Sequence, residues 1–331
     1  MSKSISVIIP VYNEEDNVEP GYKELTSILQ RMNCLYELIY IDDGSKDRTL
    51  SRLLDISAQD SNVKVIEFRR NFGQTAAMAA GLDYAQYDLV ATLDGDMQND
   101  PAELPMMAAK IEEGYDIVAG WRKHRQDKLV SRKIPSKIAN WLISKSTNVQ
   151  LHDYGCTLKV MKKDLAKQIK LYGEMHRFIP ALAAEIGAKM IEVPVNHRAR
   201  QFGTTKYGIS RTLRVVLDLL TVKFLLGFSK RPIHLFGTIG LISGALGALI
   251  LSMMTIQKIF LSIPMGSRPL LSLGVMMIII GLQFLVFGLL AEVLARTYYE
   301  SQDKKIYAVR DVHQSIQINE DSSEWQRKAA N

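Results

Sequence analysis

Cysteine is almost absent from this 331-residue chain: Cys34 and Cys156 are the only two. That is too few for a disulfide frame. No signal peptide is expected either, because the apolar run in MSKSISVIIPVYNEED is too short for the core of one. A Walker A sequence and a G-x-G-x-x-G turn are missing, so neither a P-loop nor a standard dinucleotide cleft is encoded. Charge vanishes from two long stretches. Residues 235–256 and 269–291 hold no Asp, Glu, Lys or Arg, and each can cross a hydrocarbon core of ~30 Å as a helix. Two such runs in succession predict a pair of membrane spans rather than two core helices of a large soluble domain.

The basic residues set an expected orientation. Lys230 and Arg231 precede the first span, and Arg296, Lys304, Lys305 and Arg310 follow the second. The connection between the spans carries only Lys258 and Arg268. The positive-inside bias then leaves both termini in the cytoplasm, with a catalytic domain over 1–230, a two-helix membrane domain over 231–298 and a polar tail over 299–331. No role is assigned to the tail, whose composition predicts mobility. Gly237, Gly240, Gly244 and Gly247 suit close helix packing, with a second copy of the chain as one candidate partner. The net charge of +6 is not read as a nucleic-acid footprint, because the basic residues flank membrane elements and no nucleic-acid module is visible.

The first half reads as strands alternating with helices. Ile5–Ile9, Glu37–Ile41, Val63–Phe68 and Leu89–Leu93 are short apolar runs of strand length. Helices are expected near Val18–Met32, after a cap at Asp47, and over Thr75–Tyr84. Such strand–loop–helix repeats imply a mainly parallel α/β sheet with right-handed crossovers. Three of the strands run into acids or amides, namely Asn13/Glu14, Asp42/Asp43 and Asp94/Asp96. At the carboxyl edge of a parallel sheet these converge on one crevice.

The centre of the chain is YDLVATLDGDMQNDP, residues 87–101. Asp94-Gly95-Asp96 ends a strand, and Gly95 is expected to let the backbone turn sharply between two carboxylates. A hard divalent cation held by one or two carboxylates keeps positions that substrate phosphates can fill. A plain loop, with Asp100 capping a helix that Pro101 begins, is the competing reading. A calcium hand is excluded, since Asn99 stands where its glycine belongs and Pro105 where its bidentate Glu belongs.

Ser6–Glu15 (SVIIPVYNEE), Asp42-Asp43-Gly44-Ser45 and Leu93–Gln98 (LDGDMQ), in this order and spacing, resemble glycosyltransferase family two, inverting enzymes of the GT-A fold. Asp153–Cys156, Phe178–Pro180 and His197–Tyr207 are similar to its polyprenyl-phosphate transferases: bactoprenol glucosyltransferases, undecaprenyl-phosphate aminoarabinose transferases and, more distantly, dolichol-phosphate mannose synthases. The resemblance covers roughly residues 4–300. It implies that Pro10, Tyr12, Glu14 and Asp43 hold the nucleoside. Asp94 and Asp96 would ligate Mg²⁺ or Mn²⁺, with Gln98 a further ligand or sugar contact. Asp153 would be the acceptor-side carboxylate, catalytic together with Asp96, and Arg200, Lys206, Arg122 and Arg132 would grip phosphates. Packing for Tyr12, a place beside a helix cap for Gln98 and plain solvation for Lys206 are the ordinary alternatives.

Cleaving a sugar–phosphate bond builds negative charge on the departing diphosphate, which a divalent ion stabilises without proton transfer. A hydroxyl acceptor would need a general base. A phosphate monoester, mostly dianionic at neutral pH, would not, leaving Asp153 to orient rather than deprotonate. Basic amphipathic segments at 132–147 and 208–226 suit a membrane interface and hence a lipid acceptor. A polysaccharide synthase fits less well, because the chain lacks Q-x-x-R-W and has too few spans for a channel. An inactive anchor would be expected to lose a motif acid, and a transporter subunit to place ionisable residues in its spans. The expectation is a membrane-bound transferase moving a sugar from a nucleotide donor, UDP-glucose favoured, onto polyprenyl (undecaprenyl) phosphate. UDP-aminoarabinose and GDP-mannose are the alternative donors.

Overall fold

The computed structural model describes residues 4–123, 150–171, 175–199, 232–264, 266, 268–301 and 306–315. They fall into two compact units, one built on a sheet and one on two long helices. The expected interfacial segments at 132–147 and 208–226 lie outside the described residues, as do Arg132, Arg200 and Lys206.

The first four strands are β1 (Ser4–Val11), β2 (Leu35–Asp42), β3 (Val63–Phe68) and β4 (Leu89–Thr92). Helices α1 (Glu15–Arg31), α2 (Thr49–Gln59) and α3 (Gln74–Tyr84) connect them. β1 pairs in parallel with β2 and β4, and β2 with β3. Alternate residues of a strand face opposite sides of the sheet. Ile5, Val7 and Ile9 share one cluster with Leu25 and Leu29 of α1 and Leu53 of α2. Ile8, facing the other way, packs beneath Gly81 of α3. Burial on both faces explains why β1 reads as a continuous apolar run rather than an alternating one.

Beyond β4 come α4 (Leu104–Glu112), β5 (Ile117–Trp121), β6 (Lys159–Lys162), α5 (Lys163–Gln168), α6 (Ile179–Glu185) and β7 (Met190–Pro194). The sheet order is β7-β5-β6-β4-β1-β2-β3, completed by an eighth strand on β3. β6 runs antiparallel to β4 and β5, while β7 is parallel to β5. The residues just before β6 therefore lie at the same edge as the carboxyl ends of β1, β2, β4, β5 and β7. The switch point of the winding lies between β1 and β4, where open α/β sheets bind ligands.

The eighth strand corrects the expectation of mobility for the described part of the tail, residues 306–315. β8 (Val309–Gln314) pairs antiparallel with β3. Just before it, the Tyr307 ring stacks on Phe68 with centroids 5.3 Å apart, and its hydroxyl donates to Asp83 Oδ2 at 2.7 Å. Arg310 pairs with Glu67 at 2.8 Å. Sheet-edge hydrogen bonds and one buried aromatic order this segment, and neither leaves a hydrophobic run in the sequence.

The second unit consists of α7 (Pro232–Leu261) and α8 (Pro269–Ser301). Phe236–Leu261 and Pro269–Ala291 are long and apolar enough to cross a membrane, and only 17% of each is buried within the protein. Small residues let the two helices approach closely. A Cβ on Gly240 would stand 2.6 Å from the Gly281 carbonyl oxygen, and one on Gly247 the same distance from that of Gly274. Ser243 adds an interhelical bond from its hydroxyl to the Met277 carbonyl at 2.9 Å. The glycines read as candidates for packing between copies thus include two, Gly240 and Gly247, that the hairpin itself uses.

Candidate active site

The Asp94–Asp96 loop leaves β4 at the switch point. Gly95 is required there by space rather than by turning freedom, because its φ is not positive and Met97 carries the left-handed conformation, at φ 58°. A Cβ on Gly95 would meet Val11 Cγ1 at 2.6 Å and the Pro10 carbonyl oxygen at 3.1 Å. Gly95→Ala is therefore expected to lower stability by about 1–3 kcal/mol through overpacking, measured by thermal denaturation. An unchanged midpoint would show that β1 yields without cost.

Asp94 accepts from Gln74 Nε2 at 2.8 Å and from Thr157 Oγ1 at 2.6 Å, one bond on each oxygen. Burial, and then the charge of Asp96, push its pKa up to about 6. Asp96 is buried, with Oδ1 accepting from the Gln98 N–H at 3.2 Å. Among the described residues no three His, Cys, Asp or Glu side chains gather as a metal cage. Two adjacent carboxylates, one discouraged from ionising by the other, fit a divalent ion that completes its shell with substrate oxygens.

Gln98 itself turns away from the pair. Its Nε2 donates to the Arg198 carbonyl at 3.4 Å, and the Arg198 N–H donates to the Gln98 carbonyl at 2.8 Å. Arg198 then pairs with Glu24 and Asp100 at 2.8 and 2.7 Å. Asp100 also caps the short helical turn that begins at Pro101, accepting from the Ala102 N–H at 3.0 Å.

The loops after β1 and β2 interlock. Asn13, at φ 52°, donates its N–H to Ser45 Oγ at 3.0 Å and accepts from the Lys46 N–H at 2.8 Å. The Glu14 N–H donates to Thr49 Oγ1 at 2.8 Å, and the Glu14 carboxylate accepts from Asn17 Nδ2 at 2.6 Å. Pro10 and Tyr12 lie half-buried at the end of β1. Asp43 is buried and accepts from the Phe72 and Gly73 N–H groups at 2.6 and 2.9 Å, while burial raises its pKa to about 6. It thereby fixes the β3–α3 loop that presents Gln74 to Asp94.

Asp153, in the turn before β6, meets Arg122, the residue just past β5. Arg122 Nε donates to Asp153 Oδ2 at 2.6 Å and Nη2 to Oδ1 at 2.9 Å, a side-on bidentate pair. The N–H groups of Arg122 and Gly155 add bonds at 3.3 and 3.2 Å. Burial alone would lower the pKa of Arg122, but Asp153 more than offsets this and raises it, with a smaller contribution from Asp94. A carboxylate holding four N–H donors is poorly placed to take a proton. Arg122, expected on a phosphate, is engaged with this acid.

Sequence reasoning did not single out Gln74, Thr157 or Lys159 as site residues. Thr157 is one residue past the Asp153–Cys156 motif, and Gln74 closes Asn71–Gln74, which reads as a helix entry. Lys159 is fully buried, its Nζ on the Cys156 carbonyl, and burial lowers its pKa. A lysine within a strand reads as solvent-facing, so no pattern marks it.

Residues 6–170 match the family model for glycosyl transferase family 2. The chain is 45% identical, over 94% of its length and 93% of the relative's, to dodecaprenyl-phosphate galacturonate synthase of Rhizobium johnstonii. It is 33% identical, over 98% of each chain, to undecaprenyl-phosphate 4-deoxy-4-formamido-L-arabinose transferase of Photorhabdus laumondii. Among solved structures, glucosyl-3-phosphoglycerate synthase from Mycobacterium tuberculosis in complex with Mn²⁺, UDP and phosphoglyceric acid aligns at TM-score 0.53. It shares 18% identity, with 68% of this chain and 79% of that one covered. Mannosyl-3-phosphoglycerate synthase from Rubrobacter xylanophilus gives TM-score 0.53 and 17% identity, covering 67% and 74%.

The sheet and its loaded carboxyl edge are those of a GT-A-like fold, mostly parallel, followed by two apolar helices that are candidate membrane spans. The chain belongs to glycosyltransferase family 2, in its polyprenyl-phosphate group.

Proposed function

We propose that the protein transfers a sugar from a UDP-sugar to the phosphate of a polyprenyl phosphate, with inversion, from a membrane-anchored site facing the cytoplasm. The observation that carries this reading is the pairing of opposite charges on one sheet edge. The acids Asp94 and Asp96 suit a cation-bound diphosphate, and Arg122, paired with Asp153, is held close enough for its guanidinium to act on Asp94.

The donor is the point at which the sequence reading changes. The expectation from the sequence is glucose, whereas the two relatives are named for galacturonate and 4-deoxy-4-formamido-L-arabinose. Galacturonate is the donor sugar we favour, on the strength of the 45% identity. Asp94 and Asp96 would hold Mg²⁺ or Mn²⁺, which would neutralise charge on the departing diphosphate. Pro10, Tyr12, Glu14 and Asp43 would then surround the nucleoside, on loops already tied to one another. A dianionic phosphate acceptor needs alignment more than deprotonation. Arg122 and Asp153 supply a rigid reference for that alignment, and Arg200, Lys206 and Arg132 are further candidates for gripping phosphate.

The test is transfer of radiolabelled sugar to undecaprenyl phosphate in detergent by the full-length protein, with Mn²⁺, Mg²⁺ or EDTA. UDP-galacturonate, UDP-4-deoxy-4-formamido-L-arabinose and UDP-glucose would be compared. Metal-dependent product from UDP-galacturonate alone is the expected result. Product from either other donor would reassign the sugar. UDP binding without any lipid product would sink the acceptor.

A further inference from the structure

Asp153 is held from two sides, and only one of them belongs to the Arg122 pairing. On the other stands Glu192, in the middle of β7, opposite Ala119 of β5. Its side chain is 9% exposed. Its carboxylate accepts the Asp153 N–H at 2.9 Å, the His152 N–H at 3.0 Å from each oxygen, and a contact from His152 Nδ1 at 2.7 Å. The His152 ring in turn stacks on Trp121, with centroids 4.2 Å apart and planes 19° from parallel. Trp121 is the residue before Arg122. A single carboxylate thus gathers the backbone of the turn that presents Asp153, while the side chain it orders packs on the strand end that presents Arg122.

We propose that Glu192 is a positioning residue for transfer: it fixes the His152–Asp153 turn so that Asp153 meets Arg122 side-on. The role rests on the proposed sugar transfer to lipid phosphate. A bidentate carboxylate–guanidinium pair needs both planes set together. Asp153 approaches through a turn of irregular backbone, which a strand-borne acid can hold more rigidly than the turn can hold itself. Three donors converge on Glu192; an amide could keep its oxygen on both N–H groups and give its NH₂ to His152 Nδ1, which accepts in the other tautomer, so the variant that releases the turn is alanine, which removes every acceptor.

Glu192→Ala is expected to lower the turnover number about 10–100-fold, the scale of a small misplacement of reacting groups, with little change in the KM for the UDP-sugar. A purely structural role is separated by two comparisons. Asp116→Asn loosens the same strands at the opposite edge, where Asp116 accepts from Lys162 Nζ at 2.7 Å and from the Lys189 N–H at 2.8 Å. It should lower the melting temperature yet leave turnover near wild type. Glu192→Ala combined with Asp153→Asn should be no slower than Asp153→Asn alone, because residues acting as one unit are not additive. Equal turnover losses in Glu192→Ala and Asp116→Asn, or additive losses in the double variant, would overturn the proposal. If the wild type transferred no sugar to lipid phosphate, only the functional reading would fall. The positioning role would then be judged by denaturation midpoints of Glu192→Ala and Arg122→Met, singly and together. Non-additive shifts support it, and additive shifts refute it.

Discussion

Asp94→Asn is expected to reduce sugar transfer about 10³-fold without unfolding the protein. The size follows from what the carboxylate must do. Charge stabilisation of a leaving diphosphate by a held cation is worth several kcal/mol, and about 4 kcal/mol corresponds to about 10³ in rate. Survival of the fold follows from the contacts. The carboxylate accepts from Gln74 and from the Thr157 hydroxyl. Asparagine can keep its oxygen on Gln74 and turn its NH₂ toward Thr157, whose hydroxyl rotates to accept. The sign of the stability change is also fixed. Burial and Asp96 raise the pKa of Asp94 to about 6, above its unfolded value. The folded state therefore binds the extra proton, and ionised Asp94 opposes folding above that pH. In EDTA at pH 7.5 the variant should melt no lower than wild type. Turnover within tenfold of wild type at saturating Mn²⁺ would remove Asp94 from the chemistry, and a marked fall in melting temperature would make it structural.

The first four strands were legible because a parallel sheet covered on both faces writes itself as short, dense runs such as Ile5–Ile9 and Val63–Phe68. The acids of the site were legible for a related reason, since they stand at the ends of those runs. Legibility failed where packing replaces pattern. β6 carries Lys159 fully buried, which breaks the hydrophobic signal of a four-residue strand. β8 is polar and acquires its order from the edge of β3 and from Tyr307 on Phe68. Gly95 was correctly singled out, but for freedom to turn, when the neighbouring Val11 side chain is what excludes a Cβ. Gln74, Thr157 and Glu192 act through partners distant in sequence, and no local spacing encodes such contacts.

The pair at the far side of the site supplies the second large effect. Arg122 and Asp153 have side chains only 12% and 7% exposed, so each charge is tolerated because the other is present. Arg122→Met strands the carboxylate, and breaking a buried pair from one side costs about 3–5 kcal/mol. For a domain of this size that is a fall of roughly 10 °C in melting temperature. Arg122→Met with Asp153→Asn removes both charges while leaving an amide oxygen for the Gly155 N–H, and it should recover most of that loss. Transfer should be lost in the single and the double variant alike, because the guanidinium that acts on Asp94 disappears in both. Recovery of stability without recovery of transfer would separate what the pair does for the fold from what it does for the reaction. A double variant that still transferred sugar would reduce the pair to a structural clasp, and a single variant that melted with wild type would mean that water, rather than Arg122, compensates Asp153.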